Sequence, residues 1–472
     1  MISKKVIIIG AGTAGLSARR EVAKITDSYV VIDDGPLGTT CARVGCMPSK
    51  VLIEVANTFH KRKSFDKFGI TGHQDLGVDR VVIMEHVRSL RDRFVRAVKN
   101  DMNSWTTTHL VRGRAEFVDK NQIKVGDKIY QGEKIILASG SSPIMPGPWR
   151  EHQDYLFDTD AFFEMTELPK KLAIIGLGVI GLELGQALSR LGVEVIGINL
   201  GQNVAGLQSE AIAKYAWDYF SGEFAVDPTG VEGLEVKNDK LLIKTKNSTH
   251  TVDKAFLTMG RRPNLRGFGL ENLGLEMDER GVPYFDEKTF QVGDSDIFIV
   301  GDVNAARPIL HEASDEGRIA GYNAVRKESQ CFQRRTILGV TFSDPNIAMV
   351  GMRPTEITQK NLNYVTGTVS YEGQGRAIVK DKEVGLLEVY VCRDTGKIIG
   401  AELMAPSGEH LAHLLAWGIQ MNLTVYQMLT MPFYHPVIEE GLRTALRDAA
   451  SKINPNDHKL ELMRCEDVPV GA

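Results

Sequence analysis

Cysteine is scarce in this sequence. There are five in 472 residues, at Cys41, Cys46, Cys331, Cys392 and Cys465. An odd number so widely scattered excludes a small secreted disulfide framework. Long apolar runs are missing as well. No window of about 20 apolar residues exists, so no transmembrane helix and no membrane insertion are expected. Nor does charge of one sign prevail. The formal net charge of -4 gives nucleic acid or an anionic membrane no electrostatic reason to bind. Lys4-Lys5 and the apolar stretch after them imitate a secretory signal, but Gly10, Gly12 and Gly15 interrupt it and Arg19-Arg20-Glu21 follow directly. A cytoplasmic protein is expected.

What is there suits a globular chain. With 43% hydrophobic and 25% charged residues, it can fill several cores. Its length suggests about three domains at roughly 150 residues each. Lys5–Gly10 is a short continuous apolar run, which reads as a strand buried on both faces of a parallel sheet. A helix follows over Thr13–Lys24, then a second buried strand, Tyr29–Ile32. The pattern returns as a strand at Leu172–Ile175, a helix at Ile180–Leu191 and a strand at Val193–Ile198. Two β-α-β units of one kind therefore occupy the chain. Val87–Met102 reads as an amphipathic helix. Further apolar strands are expected at Lys134–Ala138 and Ile297–Val300. From about Arg335, a strand at Leu386–Val391 and helices at Glu409–Met421 and Glu439–Ser451 indicate a separate C-terminal domain. The polar tail from about Asn454 is read as disordered or as support for an interface.

Each β-α-β unit carries G-x-G-x-x-G between its first strand and its helix: Gly10, Gly12 and Gly15 in one, Gly176, Gly178 and Gly181 in the other. The first glycine permits the tight turn, the second lets a pyrophosphate approach the backbone, and the third lets the helix pack on the strand. The helix N-terminus then presents free N–H groups to the phosphates. Asp33 closes the second strand of the first unit, where a carboxylate can accept ribose hydroxyls. Asn199 holds the matching place in the second unit. It carries no charge to repel a 2′-phosphate, and no Arg or Lys follows in Leu200-Gly201-Gln202-Asn203 to attract one. NAD is favoured, with NADP not excluded.

Cys41 and Cys46 are the only neighbouring thiols. In a regular helix five residues advance about 7.5 Å and turn about 140°, which leaves the pair beyond disulfide range. Only a distorted turn, aided by Gly45, would let them bond. Two unpaired buried thiols would fit the same spacing.

The segment from Gly38 to Lys50 resembles the redox-disulfide segment of the class I pyridine nucleotide–disulfide oxidoreductases, the family of dihydrolipoamide dehydrogenase, glutathione reductase and mercuric reductase. Ala138-Ser139-Gly140 is similar to that family's Ala-Thr-Gly turn. Gly260-Arg261-Arg262-Pro263-Asn264 is similar to its Gly-Arg-x-Pro-Asn segment, and Gly301-Asp302 to its second FAD motif. Asp344-Pro345 and Val350-Gly351 resemble the start of its dimerisation domain, and His435-Pro436 with Glu440 its C-terminal acid–base motif. The resemblance covers nearly the whole chain.

It implies an α/β fold with two Rossmann-like dinucleotide-binding domains and an α+β C-terminal dimerisation domain. The expected limits are 1–150 and 281–335 for FAD, 151–280 for NAD(P) and 336–472 for dimerisation. It implies FAD and NAD as cofactors, no metal site, and a homodimer in which the histidine comes from the partner subunit. Cys46 would lie against the flavin and Cys41 would exchange with the substrate sulfur. His435 would move the proton and Glu440 would orient it. Lys50 and Glu183 would face the nicotinamide, and Asp302 would bind the ribityl chain. Thr40, Ala115, Ser139, Gly140, Gly260, Leu310 and His311 complete the cofactor contacts.

The chain departs from the family pattern at Thr39, where a glycine is usual, at Arg43, where Asn is common, at Asn199 and at Leu310. Arg43 could favour a thiolate or an anionic substrate, or be a solvated charge. His410 and His413 read as interface or core residues. Within the family the resemblance is nearest dihydrolipoamide dehydrogenase, acting on a lipoyl-bearing protein or a small disulfide. A reductase of another disulfide and a non-catalytic flavoprotein subunit are the alternatives.

Overall fold

The structure, a computed structural model, describes residues 1–455 and 460–467. It opens with β1 (Ile2–Ile9), α1 (Thr13–Ala23) and β2 (Tyr29–Asp33), with β1 and β2 parallel. The apolar run in β1 is continuous because both faces are covered. Val6 and Ile8 enter one core with α1, while Ile7 and Ile9 enter another on the opposite side. Two consecutive helices, α2 (Thr40–Val44) and α3 (Cys46–His60), carry the cysteines.

The helix expected over Val87–Met102 is longer: α4 spans Arg80–His109. Asp79 caps it by accepting the N–H groups of Val81 and Val82 at 2.9 and 3.0 Å. Buried Ile83 and Met84 at one end and Trp105 at the other carry its apolar stripe past both expected limits. The next long strand, β3 (Lys128–Leu137), lies parallel to β1 on the side opposite β2.

The second unit repeats the first: β4 (Lys171–Ile175), α5 (Val179–Arg190) and β5 (Glu194–Ile198), with β6 (Lys254–Leu257) beside β4 in a five-stranded parallel sheet. The two are tied alike. Gly10 N–H donates to the Ile32 carbonyl at 2.8 Å, and Gly176 N–H donates to the Ile198 carbonyl at 2.8 Å.

The chain then returns to the first sheet. β7 (Ile297–Ile299) pairs in parallel with β3 and completes seven strands. It delivers Gly301-Asp302 to the strand ends, and α6 (Leu310–Ala324) packs on α1. The packing is backbone to backbone: a Cβ on Gly317 would lie 2.1 Å from the Ala14 carbonyl oxygen.

The C-terminal unit begins with β8 (Leu338–Thr341) in a five-stranded antiparallel sheet. α7 (Gly408–Gln420) and α8 (Glu440–Ile453) bury their apolar faces in the same core as that sheet. On α7, Leu411, Ala412 and Leu415 face inward, which turns His410 and His413 outward. A core role for these histidines is thereby corrected. Part of the polar tail, 456–459 and 468–472, lies outside the described residues. In the described part, Glu461 pairs with Arg443 and Arg447 of α8.

Candidate active site and dinucleotide clefts

The glycines divide their roles by geometry. A Cβ on Gly15 would fall 1.9 Å from the Gly10 carbonyl oxygen, and one on Gly181 would fall 1.9 Å from that of Gly176. These third glycines let helix and strand touch. Around the middle glycines, Gly12 and Gly178, a Cβ would meet nothing within 4 Å. The space in front of Gly12 is a cavity of about 1130 Å³. Its open frontage suits a pyrophosphate lying on the backbone, and its volume suits a dinucleotide.

Of the expected cofactor residues, Gly10, Gly12, Asp33, Thr40, Ala115, Ser139, Gly140, Gly260 and Asp302 line this cavity. Leu310 and His311 do not: they open α6 and are exposed. Asp33 accepts the Ala11 N–H at 2.7 Å through one oxygen and Arg112 at 2.9 Å through the other. It thus holds the glycine loop while facing the cleft.

Asp302 is held from two directions. Ser141 Oγ donates to its Oδ2 at 2.7 Å, and Arg261 fixes Ser141 through Oγ and the carbonyl at 2.8 and 2.7 Å. From beneath, Glu316 accepts the Gly301 N–H and the Asn304 amide, both at 2.7 Å. Burial pushes the Glu316 carboxyl up to about 7, against the pull of those donors and of Arg334. Sequence reasoning missed Glu316. Its signal was an acid on the glycine-lined, buried face of α6.

The redox pair sits at a break. α2 ends at Val44, Gly45 adopts φ -126 and ψ -122, and α3 restarts at Cys46. A Cβ on Gly45 would press to 3.2 Å from the Cys41 Cα and the Thr40 carbonyl oxygen, so a larger residue would push the turn open by a few tenths of an ångström. The two thiols hydrogen-bond to each other. The bond from Cys41 lowers Cys46 to about 7 against desolvation, with help from the Lys50 charge; Cys41 is raised. One proton is shared by the pair, with the anion on Cys46. Thr39, in place of the usual glycine, takes φ 62 and ψ 147 and caps α2 through its hydroxyl, which accepts the Ala42 N–H at 3.3 Å.

Lys50 Nζ donates to both Glu183 oxygens at 3.1 and 2.8 Å. The Glu183 side chain is only 3% exposed and that of Lys50 is 33% exposed, so the pair links α3 to α5 with its carboxylate buried. Phe342, beyond β8, completes it. Its N–H donates to Glu183 at 2.7 Å, and its ring lies 4.6 Å from Lys50 Nζ.

At Asn199 the second unit copies the first with different chemistry. Its Oδ1 accepts the Leu177 N–H at 3.0 Å, as Asp33 does for Ala11. Its amide donates to the carbonyls of Gly201 and Asn203 at 3.1 and 2.8 Å, clasping the loop that a carboxylate would repel.

The structure does not join His435 to the cysteines within one chain. His435 Nδ1 lies 2.9 Å from Glu440 Oε1, and Glu440 Oε2 accepts the Val437 N–H at 3.1 Å. The contact with His435 lowers the Glu440 carboxyl. The imidazole itself is 81% exposed, on the C-terminal unit near exposed Tyr434.

Comparison with known proteins accords with this arrangement. A family described as pyridine nucleotide-disulphide oxidoreductase matches residues 4–317, and the dimerisation domain of that family matches residues 337–446. The chain belongs to this family. Among similar proteins, the dihydrolipoyl dehydrogenase of Bacillus subtilis (strain 168) is 28% identical over 450 residues, covering 93% of this chain and 95% of that protein. That of Haloferax volcanii is 26% identical over 461 residues, covering 94% and 96%. In fold, the HOCl-induced flavoprotein disulfide reductase RclA from Escherichia coli, solved as a Cu(II) complex, matches with TM-score 0.82 at 21% identity over 96% of this chain and all of that one. LpdA from Mycobacterium tuberculosis matches with TM-score 0.82 at 21% identity, covering 94% and 99%. As a pyridine nucleotide–disulphide oxidoreductase, the chain is a flavoprotein that acts on disulfides, and the family implies FAD and a pyridine nucleotide. Among the described residues no helix is long and apolar enough to cross a membrane.

Proposed function

We propose that the protein is a homodimeric dihydrolipoyl dehydrogenase, which oxidises dihydrolipoyl groups and reduces NAD. The observation that carries this reading is the Cys41–Cys46 pair brought together at the break between α2 and α3, in a chain that matches dihydrolipoyl dehydrogenases along nearly its whole length. With the pair oxidised, a substrate thiolate attacks Cys41 Sγ. The Cys41–Cys46 bond breaks, and Cys46, the thiol of lower pKa, leaves as thiolate. The second substrate thiolate then attacks the substrate sulfur bound to Cys41. This closes the lipoyl disulfide and expels Cys41, whose raised pKa makes it take up a proton. Two thiols are oxidised and one disulfide is reduced.

His435 of the partner subunit would take the substrate's proton and return it to Cys41, with Glu440 setting its tautomer and orientation. The exposure of His435 and the match to a dimerisation domain support this placement. Bound FAD supplies two-electron exchange between the reduced pair and NAD. The Gly10–Gly15 loop, Asp33, Thr40 and Asp302 would hold it, and Lys50 with Glu183 would border the nicotinamide. Support for NAD is the neutral, fully engaged Asn199 with no cation in the four residues after it. The domain limits of 1–150 with 281–335, 151–280 and 336–472 are supported by the seven-stranded sheet, the five-stranded parallel sheet and the five-stranded antiparallel sheet, one in each unit.

The test is steady-state reduction of NAD by dihydrolipoamide, with NADP in parallel. Fast turnover with NAD is expected. A protein that holds FAD and a reducible pair but turns over with neither nucleotide would have another disulfide as its substrate.

A further inference from the structure

Arg43 stands between the two cysteines and has no part in the chemistry above. On α2 it follows Thr40 by three residues, so the two share a helix face. Both line the large cavity, together with Gly12 and Asp302. Cys41, two positions back, projects from a different side of the helix, and Lys50 is the cation that draws down Cys46. A role in stabilising the thiolate is therefore not what the placement offers. A solvated surface charge does not describe it either, because Arg43 Nε is buried and has no hydrogen-bond partner. Asp160, on the same wall, feels the charge of Arg43, yet no ion pair joins them among the described residues.

A buried guanidinium N–H without an acceptor is costly to leave unmade. Its natural acceptor is an oxyanion that enters the cavity, because the planar fork of arginine matches phosphate oxygens two at a time. In FAD the only anionic group is the pyrophosphate. We propose that Arg43 is a cofactor-binding residue whose guanidinium grips the pyrophosphate of the bound dinucleotide, opposite the backbone of the Gly10–Gly15 loop. This rests on the reading that the cavity takes FAD.

The test removes FAD from the full-length protein and titrates the apoprotein with FAD or with riboflavin, which lacks phosphate. Flavin fluorescence follows binding at several salt concentrations, for wild type, Arg43→Asn and Arg43→Lys. Circular dichroism of each apoprotein controls for folding. Arg43→Asn is expected to weaken FAD roughly tenfold to hundredfold, flatten the salt dependence and leave riboflavin unchanged. Arg43→Lys, which keeps the charge but loses the fork, falls between. Equal weakening of FAD and riboflavin, or unchanged FAD affinity in Arg43→Asn, overturns the proposal. Wild-type apoprotein that takes up no FAD overturns the cofactor reading and the proposal with it.

Discussion

The Cys46 thiolate can be tested in the reduced protein without any substrate. Its pKa is drawn from 9.0 to about 7 chiefly by the hydrogen bond from Cys41. Two pKa units are about a hundredfold in proton affinity. Cys41→Ala removes the donor, so the Cys46 midpoint moves back towards 9. The bond from Cys41 is the largest cause and the Lys50 charge a smaller one, so at least one unit of the shift should disappear with Cys41. The sign is that of a lowered acid: wild-type reactivity rises through pH 7 and then levels, whereas the variant rises later. A more basic thiolate is also the better nucleophile, by a factor of roughly five to ten over two units. Alkylation of Cys46 by iodoacetamide, localised by mass spectrometry, should therefore be about fivefold slower in Cys41→Ala at pH 7 and about fivefold faster at pH 10. The two profiles cross between. Cys41→Ser, which keeps a hydroxyl donor, should lie between the two proteins. Superimposable profiles for wild type and Cys41→Ala would refute the shared proton and leave the direction of disulfide opening unexplained.

Gly12→Ala should fold and melt as wild type, because its Cβ meets nothing, yet purify with less flavin. Gly15→Ala should lose folding stability outright, and flavin-to-protein ratio with thermal melting separates the two cases. His435→Gln should slow dithiol oxidation about 10²-fold or more while Cys46 alkylation stays normal; an unchanged rate in stopped-flow reduction would make His435 structural. Asn199→Asp removes both amide donors to the Gly201 and Asn203 carbonyls and sets a carboxylate against them. The expected result is weaker binding of both NAD and NADP by calorimetry, rather than a switch between them.

The two β-α-β units were legible because each carries period-free apolar strands joined by a glycine-spaced turn, the pattern of strands buried on both faces. The redox segment was legible as a motif. Its geometry was not, since whether two thiols five residues apart can meet depends on one glycine's dihedral angles. What stayed hidden was contact across long stretches of chain. An acid on a glycine-lined helix face marks Glu316 as buried but not as the support of Gly301, and nothing local marks Phe342 as the cover of Lys50. The span of α4 was underread at both ends, where Ile83 and Met84 before Val87 and Trp105 after Met102 extend its buried stripe. Leu310 and His311 were placed at the cofactor by likeness alone; they open α6, exposed, outside the residues that line the cavity.

One face of α5 bears Glu183, Gln186 and Arg190, spaced three and four apart. Each reaches the segment 342–344: Glu183 takes the Phe342 N–H, Gln186 exchanges two bonds of 2.8 Å with the Asp344 backbone, and Arg190 holds the Asp344 carboxylate and carbonyl at 3.0 Å. Arg190 also binds Asn57 of α3 and both oxygens of Glu223, so all five of its N–H groups are used. Buried ion networks of this kind add little net stability, but breaking one member leaves the others stranded. The second and C-terminal units cannot then come apart without stranding Arg190 and Asp344, and Asn57 ties the first unit to the same guanidinium. On heating, the protein should absorb its unfolding enthalpy in a single calorimetric peak rather than in steps, and Arg190→Met should split that peak.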